Sequence, residues 1–502
     1  MGSINTMVAA WGLDDESLIV DQNFVNGKWV EAQSQARFDV QDPATERRIG
    51  TCPESSPSDV TEAISHASKT LLSWRRRSGR ERSRVLRKWF DLVNEHRGDL
   101  VKIICREMGK AQADATGEVN MAAGFLEWFS EEAARIHGDI VPHSNPAYRV
   151  SVIKESIGVC GMITPWNFPA AMLTRKLGPC LAAGCTAVIK PDGQTPFTAN
   201  AFAVLAHRAG LPPGTINIVH ALENTPAVGR ALCEAPEVRK LSFTGSTRVG
   251  KILLAQSASN VQKLSLELGG NAPFIVFDDA DLETAVTALI ASKFKVSGQT
   301  CVCPNRVYVQ AGVHDEFVDK LVQVVSAFRV GPASDSRTTH GPLINRTAAA
   351  KSRSHVEDAV SKGGRVVIGE SGDGSKSSKH GPNFVHPTIL VNANKTMLVA
   401  QEETFGPVAA IFRFENEADV IADANDVDVG LASYFMTQNH ERAHRVAEAL
   451  QAGMVAINTG IIADAAAPFG GVKASGLGRE GSKYGIEEYL QLKTVVTGNL
   501  RL

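Results

Sequence analysis

The spacing of apolar residues along this chain predicts a helical N-terminal region followed by alternating strands and helices. Apolar positions recur every three to four residues over 58–73, 80–106 and 114–137, as in amphipathic helices. Runs rich in β-branched residues then predict strands at Arg149–Ser156 and Gly158–Ile163. Beyond them, extended and helical patterns alternate to about residue 467. This βαβ order predicts parallel sheets with helices on their faces.

The alternation divides into two series, which predict two α/β domains. The first series alternates strand and helix, beginning with a strand, over Ala187–Lys190, Thr198–Ala209, Ile216–Val219, Thr225–Glu234, Lys240–Phe243 and Thr247 onward. The second series begins with a strand at Ala272–Phe277. We therefore expect the domain boundary near Gly269–Gly270. A further extended segment is predicted in the tail, at Thr494–Leu502.

Composition and charge exclude some classes of partner. The 502 residues are 43% apolar and 21% charged with a net charge of −2, which is typical of a globular protein without a nucleic-acid partner. The basic cluster from Arg75 to Lys88 has helical spacing with an apolar side, so we interpret it as a solvated helix face. Residues 156–174 are uncharged, but Pro165 and Pro169 interrupt them, which favours a buried strand and loop over a membrane span.

The cysteines indicate a reducing compartment. Eight cysteines, at positions 52, 105, 160, 180, 185, 233, 301 and 303, form no CxxC pair and no Cys/His cluster with zinc spacing. Most of them stand among Ala, Gly, Val and Ile, as reduced buried thiols do. The sequence therefore predicts no metal site and a cytoplasmic location.

One thiol and one distant carboxylate are candidates for covalent catalysis. Cys301 follows Gly298-Gln299-Thr300, and Glu267 stands upstream beside Gly269-Gly270. A thiolate can attack a carbonyl carbon, and a carboxylate beside a flexible turn can act as a general base. The alternative is that Cys301 and Cys303 are small buried hydrophobic residues, which is the usual environment of cysteine.

Two turns after predicted strands have the composition of ligand-binding loops. Gly245 allows close backbone approach, and Ser246 can cap the helix whose free N–H groups favour a phosphate. An ordinary βα connection is the alternative, since no G-x-G-x-x-G fingerprint is present. Asn167, held between Pro165 and Pro169, is either an oxyanion donor or the cap of a turn.

Seven motifs in order make the chain resemble the aldehyde dehydrogenase superfamily over nearly its whole length. They are Pro165-Trp166-Asn167, Lys190-Pro191, Phe243-Thr244-Gly245-Ser246-Thr247, Glu267-Leu268-Gly269-Gly270, Gly298-Gln299-Thr300-Cys301, Glu402-Glu403-Thr404-Phe405-Gly406-Pro407 and Pro468-Phe469-Gly470-Gly471-Val472-Lys473. The resemblance implies an α/β aldehyde dehydrogenase-like fold with two Rossmann-like parallel-sheet domains and a β-strand oligomerisation arm. It implies an NAD(P)-binding domain in 1–140 and 158–270, a catalytic domain in 271–467, and the arm and C-terminal tail in 141–157 and 468–502. A homodimer or homotetramer is expected.

The resemblance also implies oxidation of an aldehyde to a carboxylic acid. Cys301 would attack the aldehyde carbon, Asn167 and the Cys301 N–H would hold the oxyanion, and Glu267 would activate the water that hydrolyses the thioester. The cofactor-binding residues it implies are Thr164, Trp166, Lys190, Gly193, Gly245, Ser246, Val249, Gly250, Leu268, Glu402 and Phe405. Gly193 stands where NAD-preferring relatives carry a ribose-binding glutamate, so NAD or NADP is expected, with NADP accepted, although Asp192 is adjacent.

Within the superfamily, the chain is similar to succinate-semialdehyde dehydrogenases. The similarity lies in Cys301-Val302-Cys303, Thr174-Arg175-Lys176 and Gly476–Gly485. It implies that Arg175 binds the distal carboxylate of the substrate, a charge-assisted contact that a neutral aldehyde cannot use. Phe469 is expected to line the same pocket. Lys295 and Ala463 stand where that group has a second arginine and a serine, so another ω-carboxyl aldehyde, or a less polar one, stays open.

The same resemblance implies a redox switch. A disulfide between Cys301 and Cys303 would close a small, strained ring and should be readily reduced. We therefore expect oxidants to inactivate the protein reversibly through Cys303.

Two other classes of protein remain open from the sequence. A thiol hydrolase or acyltransferase would use Cys301 and Glu267 without redox chemistry. No local Cys–His pattern favours it, although a histidine distant in sequence can complete such a site. A non-catalytic binding or lens-type structural protein on this fold would be marked by loss of the thiol or the base, and both are present.

Overall fold

The computed structural model describes residues 11–370 and 380–499. Residues 1–10, 371–379 and 500–502, which belong to the predicted domains and tail, lie outside the described residues. Up to residue 267 the strands are β1 (Asn23–Val25), β2 (Lys28–Val30), β3 (Arg37–Gln41), β4 (Arg48–Pro53), β5 (Asp139–Pro142), β6 (Arg149–Ser156), β7 (Val159–Ile163), β8 (Thr186–Lys190), β9 (Ile216–Ile218), β10 (Val238–Thr244) and β11 (Lys263–Glu267). The later strands are β12 (Ala272–Val276), β13 (Pro304–Gln310), β14 (Arg365–Ile368), β15 (Thr388–Val391), β16 (Val408–Phe414), β17 (Val429–Gly430), β18 (Ala432–Met436), β19 (Met454–Ile457), β20 (Val472–Lys473), β21 (Gly476–Leu477) and β22 (Leu490–Thr497).

The helices cover the faces of the sheets. The first group is α1 (Pro57–Trp74), α2 (Gly79–Glu95), α3 (Arg97–Met108), α4 (Gln112–Glu132), α5 (Pro169–Ala183), α6 (Pro196–Arg208), α7 (Thr225–Glu234) and α8 (Thr247–Ser257). The second group is α9 (Leu282–Leu289), α10 (His314–Ser326), α11 (Arg346–Ser361), α12 (Leu398–Gln401), α13 (Glu417–Asn425), α14 (His440–Ala449) and α15 (Ser482–Glu487). No described helix combines the length and the apolar character that crossing a membrane requires.

The first large sheet has the strand order β2-β1-β9-β8-β7-β10-β11-β21. Its five central strands, from β9 to β11, run parallel, and β1 and β21 pair antiparallel at its two sides. Every residue of β7 and β8 is buried, because helices cover both faces of a parallel sheet. The loops after β7, β10 and β11 therefore meet at one edge, where ligands bind to sheets of this kind.

The second large sheet has the order β14-β15-β16-β13-β12-β18-β19, and only its edge pair β14–β15 is antiparallel among the described pairs. The chain passes from β11 in the first sheet to β12 in the second through Gly269 and Gly270. This crossing brings the segment before β13, which contains Cys301, opposite the end of β11.

A separate three-stranded antiparallel sheet contains β5, β6 and β22. It exposes apolar side chains, including Ile140 at 74% and Leu492 at 68%. Of the segment 468–502, which the sequence assigns to the arm and tail, only β22 joins this sheet among the described residues. The preceding strands pair elsewhere, β20 with β17 and β21 with β11, since they complete the edges of those strands.

Several predicted elements differ in the structure. The pattern over 80–106 forms two helices, because the backbone leaves helical geometry at His96 (φ −94°, ψ 17°). The pattern over 114–137 ends as a helix at Glu132, and the apolar residues beyond it pack in a turn. Arg82 is buried, unlike its exposed neighbours in the basic cluster, because its Nε donates to the carbonyl of Ala182 at 2.8 Å. The sequence patterns missed α5, since it is buried all round and shows no amphipathic period.

Candidate active site

The predicted catalytic residues meet in a cavity of about 350 Å³ at the carboxyl ends of β7, β10 and β11. Asn167 enters it from the loop after β7, Glu267 from the end of β11, and Cys301 from the segment before β13. The other predicted residues in its lining are Trp166, Arg175, Gly245, Ser246, Leu268, Lys295, Phe405 and Phe469. The remaining predicted residues lie outside the lining, namely Thr164, Lys190, Gly193, Val249, Gly250, Glu402 and Cys303.

The loop that carries Cys301 is held in an unusual backbone conformation. It follows a π-helical turn at Ile290–Phe294, and both Val296 and Ser297 have φ 53°. Such turns and left-handed residues cluster at functional sites, where surrounding contacts maintain them. Here the Ser297 hydroxyl donates to the carbonyl of Gly341 at 2.9 Å. Only a glycine fits at position 270, because a Cβ there would lie 2.5 Å from the Cys301 carbonyl oxygen.

The environment of Cys301 keeps its thiol protonated. Burial raises its pKa from 9.0 to about 12, and the nearby Arg175 guanidinium opposes this only in part. Because the thiolate is the nucleophile, Cys301 needs a proton acceptor when substrate binds.

Glu267 is a buried carboxyl whose two oxygens have no hydrogen-bond partner in the described part of the chain. Burial raises its pKa well above 4.5, and the negative charge of Glu480 raises it further, while Arg175 and Lys176 lower it. A raised pKa makes the ionised carboxylate a stronger proton acceptor than an ordinary glutamate. An oxygen free of protein partners remains available to a thiol or to a water molecule.

Hydrogen bonds hold the Asn167 side chain in place and use one of its two amide hydrogens. Its Nδ2 donates to the carbonyl of Gln299 at 2.9 Å, and its Oδ1 accepts from the N–H of Phe168 at 3.1 Å. An amide nitrogen carries two hydrogens, so the second remains free to donate to an oxyanion. The loop is thereby joined to the segment that carries Cys301.

A buried ion pair that the sequence patterns missed supports this loop. Lys110 donates to the carbonyl of Asn167 at 2.6 Å and pairs with Glu118, and both side chains are fully buried. The other carboxylate oxygen of Glu118 accepts from the N–H groups of Ala170 and Ala171, which begin α5. Glu118 therefore caps the helix that follows the oxyanion loop, and Lys110 fixes the loop itself.

Arg175 lines the cavity, and one of its guanidinium nitrogens is not hydrogen-bonded to any described residue. Its Nε donates to Glu480 at 2.6 Å, and its guanidinium lies 4.2 Å from the centre of the Phe469 ring. Its Nη2 is buried and has no hydrogen-bond partner within residues 11–370 and 380–499. Leaving a buried guanidinium N–H unpaired is costly, so this atom is suited to an acceptor supplied by a ligand.

Lys295 also lines the cavity and has no hydrogen bond or ion pair among the described residues. Its charge lies near Asp114, whose carboxylate accepts from the N–H of Val296 at 2.9 Å. Ala463 lines the same cavity and offers no donor. The structure thus brings Arg175, Lys295 and Phe469 together around one space.

The turn after β10 has the geometry of a phosphate-binding helix N-terminus. Ser246 caps α8 by accepting from the N–H of Val249 at 3.3 Å. A Cβ at Gly245 would lie 2.4 Å from the ring of Phe243, and one at Gly250 would lie 2.4 Å from the Leu268 side chain. These glycines let α8 pack closely on the sheet and leave the turn open.

Lys190 and Gly193 lie at and beyond the end of β8. Lys190 is 4% exposed, and its ammonium group has no hydrogen bond or ion pair among the described residues. Burial lowers its pKa, and Asp192 and Glu54 oppose that shift. A Cβ at Gly193 would lie 3.0 Å from both the Ala221 carbonyl and the Leu222 side chain, so the backbone there leaves little room for a side chain. Thr164 stands beside Lys190, because its N–H donates to the Lys190 carbonyl at 3.1 Å.

The structure brings Glu403, rather than the predicted Glu402, into the cavity. Glu403 lines it and accepts from the N–H of Gly270 at 3.2 Å. The Glu402 side chain is 53% exposed and lies 3.5 Å from Lys351 and 3.6 Å from His355. The two carboxylates are adjacent in sequence, and the extended backbone at Glu402 directs them to opposite sides. Phe405 lines the cavity, with its ring 5.6 Å from that of Trp166.

Comparison with known proteins agrees with this geometry. A model of the Aldehyde dehydrogenase family matches residues 29–495. The chain belongs to this family.

Individual members of the family are similar over nearly the whole chain. The NADP(+) succinate-semialdehyde dehydrogenase of Escherichia coli is 52% identical over 486 residues, which are 97% of this chain and 99% of that protein. A glutarate-semialdehyde dehydrogenase of Pseudomonas putida is 52% identical over 481 residues, with 96% and 98% covered. The crystal structure of an E. coli NADP-dependent enzyme superposes with a TM-score of 0.95 at 52% identity, covering 97% of this chain and 100% of that one.

The predicted superfamily and fold class are therefore confirmed, and the chain is an NAD(P)-dependent aldehyde dehydrogenase. Membership of this family supports an aldehyde dehydrogenase over a thiol hydrolase or acyltransferase. The thiol and the carboxyl that a non-catalytic relative would lack face the same cavity in this aldehyde dehydrogenase.

In this aldehyde dehydrogenase, Cys303 lies outside the lining of the cavity that contains Cys301. It is 1% exposed, and its sulfur lies 2.7 Å from the Thr300 hydroxyl and 3.3 Å from the carbonyl of Ser292. A disulfide with Cys301 would have to break both contacts. Burial raises the pKa of the Cys303 thiol, while Lys293 lowers it. The redox switch stays a prediction.

Proposed function

We propose that this aldehyde dehydrogenase oxidises succinate semialdehyde to succinate with NADP⁺. The observation that carries the proposal is the unpaired Nη2 of Arg175 on a cavity that also contains Cys301. A distal carboxylate would satisfy this donor, and hydrogen bonds to charged groups are about twice as strong as neutral ones. Lys295 adds a second positive charge to the same lining. The E. coli relative carries this activity in its name.

The reaction begins with addition of the Cys301 sulfur to the aldehyde carbon. As the S–C bond forms, the thiol proton passes to the carboxylate of Glu267, and the carbonyl π electrons move to oxygen. The free hydrogen of Asn167 Nδ2 and the N–H of Cys301 donate to that oxygen. Burial raises the pKa of both Cys301 and Glu267. The proton therefore passes from a weakly acidic thiol to a carboxylate that is more basic than usual.

Oxidation and hydrolysis follow on the same sulfur. NADP⁺, when bound, accepts the hydride lost from the aldehyde carbon. The oxyanion electrons re-form the carbonyl, which leaves a thioester on Cys301. After Glu267 has returned its proton to solvent, it takes a proton from water, whose oxygen attacks the thioester carbon. The C–S bond then breaks, and Cys301 leaves as the thiolate while the carboxylic acid forms.

Residues of this chain fit a nicotinamide dinucleotide phosphate. Lys190 is a buried cation whose ammonium group has no partner among the residues that the structure describes, which suits the hydroxyl and phosphate oxygens of an adenosine ribose. Gly193 leaves no carboxylate to repel a 2′-phosphate. The N-terminus of α8 at Ser246 suits the pyrophosphate, and Glu403 with Phe405 suits the nicotinamide ribose.

A longer ω-carboxyl aldehyde is the second candidate substrate. The Pseudomonas putida relative of equal identity is named a glutarate-semialdehyde dehydrogenase. Ala463 is small and offers no donor to the carboxylate, so the cavity does not select the four-carbon chain at that position. Glutarate semialdehyde would bring its carboxylate to the same Arg175.

Steady-state kinetics on an aldehyde panel tests the proposal. The panel contains succinate semialdehyde, glutarate semialdehyde and pentanal, each assayed with NADP⁺ and with NAD⁺ by nicotinamide absorbance. We expect the highest kcat/KM with succinate semialdehyde and NADP⁺. Equal kcat/KM for succinate semialdehyde and pentanal would overturn the carboxylate assignment. Aldehyde consumption without a change in nicotinamide absorbance would support a hydrolase or acyltransferase instead.

We also propose a cytoplasmic homodimer or homotetramer that assembles through the sheet of β5, β6 and β22. Among the described residues, its outer strands β5 and β22 each pair only with β6, and its apolar side chains, including Ile140 and Leu492, are exposed in the single chain. Unpaired strand edges with apolar side chains favour pairing with another chain. Light scattering after gel filtration should give two or four chain masses, and replacing Ile140 and Leu492 by lysine should give one.

A further inference from the structure

Three buried thiols lie close together in the first α/β domain. They are far from Cys301 in sequence and outside the cavity that contains it. The sulfur atoms of Cys160, Cys180 and Cys185 all lie within 4.8 Å of one another. All three residues are 0% exposed. In the described part of the chain, no other three His, Cys, Asp or Glu side chains place their ligand atoms so near each other. The spacing along the sequence does not reveal this cluster.

The fold brings the three thiols together through one turn and one strand pair. Cys180 lies in the last turn of α5, and the chain reverses through Gly184 (φ 89°) so that Cys185 donates its N–H to the Cys180 carbonyl at 3.0 Å. Cys160 lies on β7, which pairs with β8 immediately after Cys185. The turn therefore places Cys180 and Cys185 next to Cys160, which lies on the sheet.

We propose that Cys160, Cys180 and Cys185 form a binding site for a thiophilic d¹⁰ metal ion such as Zn²⁺. Three thiolates around an ion at a Zn–S distance of about 2.3 Å stand roughly 4 Å apart, which the present spacing reaches with sub-ångström shifts. Each sulfur lies near a backbone carbonyl, at 3.7 Å for Cys160, 3.9 Å for Cys180 and 3.3 Å for Cys185, and the three thiols also contact one another. These weak contacts are easily exchanged for metal–sulfur bonds.

The surrounding charge suits a thiolate–metal cluster. Binding of Zn²⁺ to three thiols releases three protons to solvent and leaves a net charge of −1 at the site. Arg82 is a buried guanidinium with no carboxylate partner in the described part of the chain, and its Nη1 would lie 3.3 Å from a Cβ at Gly184. Lys240 pairs in register with Cys160 on the adjacent strand and is also fully buried. Lys240 already pairs with Glu488 at 3.6 Å, so Arg82 is the buried cation beside the sulfurs that an anionic cluster would compensate.

Occupancy would link three parts of the structure. Cys160 belongs to the sheet, Cys180 to the helix that carries Arg175, and Cys185 donates to the carbonyl of Tyr489, which precedes β22. Because the thiols are fully buried, the ion must enter during folding or when this turn opens. A ligand that binds only the folded state stabilises it, so bound zinc should raise the melting temperature.

Metal content of protein from zinc-supplemented cells tests the site. Wild type, Cys180→Ser, Cys301→Ser and Cys233→Ser are purified identically and analysed by inductively coupled plasma mass spectrometry. Cys233 is the matched control, because it is buried and outside the cluster. We expect about one zinc per chain in wild type, Cys301→Ser and Cys233→Ser, and background zinc in Cys180→Ser. Zinc lost in Cys301→Ser but kept in Cys180→Ser would overturn the proposal, as would a zinc-free wild type.

X-ray absorption at the zinc edge of the wild-type protein keeps the test independent of variant folding. Three sulfur ligands support the site, and one sulfur or none contradicts it. A disulfide between two of the three thiols in reducing-cell preparations would also contradict it. Aldehyde turnover by Cys180→Ser should stay near that of wild type, since none of the three thiols lines the cavity.

Discussion

Arg175 and Glu480 form a buried ion pair, with Arg175 Nε 2.6 Å from Glu480 Oε2. Glu480 also accepts from Lys176, so one carboxylate pairs with two buried cations. Although burial raises its pKa, Lys176 and Arg175 lower it from 4.5 to about 2. This arrangement holds the arginine by Nε and leaves its Nη2 without a hydrogen-bond partner among the described residues.

Replacing Glu480 by glutamine should destabilise the protein. The amide keeps the size of the carboxylate but leaves two buried cations unpaired, and breaking a buried pair costs about 3–5 kcal/mol. Urea unfolding should show this loss, whereas Glu487→Gln, which breaks an exposed pair with Lys154, should cost at most about 1 kcal/mol. Equal effects of the two substitutions would contradict the assigned role of Glu480.

The Arg175–Glu480 ion pair makes the free energy of unfolding depend on pH. Since the folded pKa of Glu480 is lowered, its ionised form stabilises the fold above the ordinary value of 4.5. That stability is lost as the pH falls from 4.5 toward 2. The wild-type and Glu480→Gln unfolding free energies should therefore converge over this range.

Replacing Glu267 by glutamine should separate oxidation from hydrolysis. Without a base to activate water, steady-state turnover should fall by roughly 10²- to 10⁴-fold. The pre-steady-state burst of reduced nicotinamide should form more slowly, because Glu267 no longer takes the Cys301 proton, and should still approach one per active site, because hydrolysis of the thioester is blocked. Stopped-flow absorbance measures both phases. Complete absence of a burst would show that Cys301 cannot attack the aldehyde without Glu267.

Cofactor binding should depend on the protonation of Glu403. Burial raises the pKa of Glu403 from 4.5 to about 7, and the Gly270 N–H lowers it in part. Its ionised form accepts a ribose hydroxyl, so the KM for NADP⁺ should fall as the pH rises through about 7. Glu403→Gln should abolish this slope, and Glu402→Gln, on the exposed side, should keep it. The reverse result would restore the sequence-based assignment of Glu402.

Oxidative inactivation should depend on Cys303. We expect hydrogen peroxide to inactivate the wild type and dithiothreitol to restore it through reduction of a Cys301–Cys303 disulfide. Because Cys303 must first leave Thr300 and the Ser292 carbonyl, inactivation should be slow. Cys303→Ala should lose the reversible component, and Cys105→Ala, a partly buried thiol elsewhere, should not. Identical reversible inactivation in Cys303→Ala would exclude the switch.

The three residues proposed for catalysis were found from the sequence because each belongs to a motif of neighbouring residues, and the structure places them in one cavity. Cys301, Glu267 and Asn167 are recognised locally, and the crossing at Gly269–Gly270 brings them together. Glu403 was missed by one position, since two adjacent carboxylates give no signal of which one faces inward. An extended backbone that sends them to opposite sides decides this only in the folded chain.

Contacts between distant segments could not be predicted. Glu480 meets Arg175 from the other end of the chain, and Lys110 reaches Asn167 across 57 positions. Their sequence signal is a charged residue within an apolar pattern, which an exposed helix face explains equally well. The thiol cluster is similar, because only the turn at Gly184 and the pairing of β7 with β8 join its members.

The central claim is that Arg175 selects an aldehyde with a distal carboxylate. Its most direct test is the ratio of kcat/KM for succinate semialdehyde to that for pentanal, measured with NADP⁺ in wild type and in Arg175→Leu. A charge-assisted hydrogen bond of about 1.5–3 kcal/mol predicts that the ratio falls roughly 10- to 100-fold in the variant, with pentanal turnover little changed. An unchanged ratio would contradict the account.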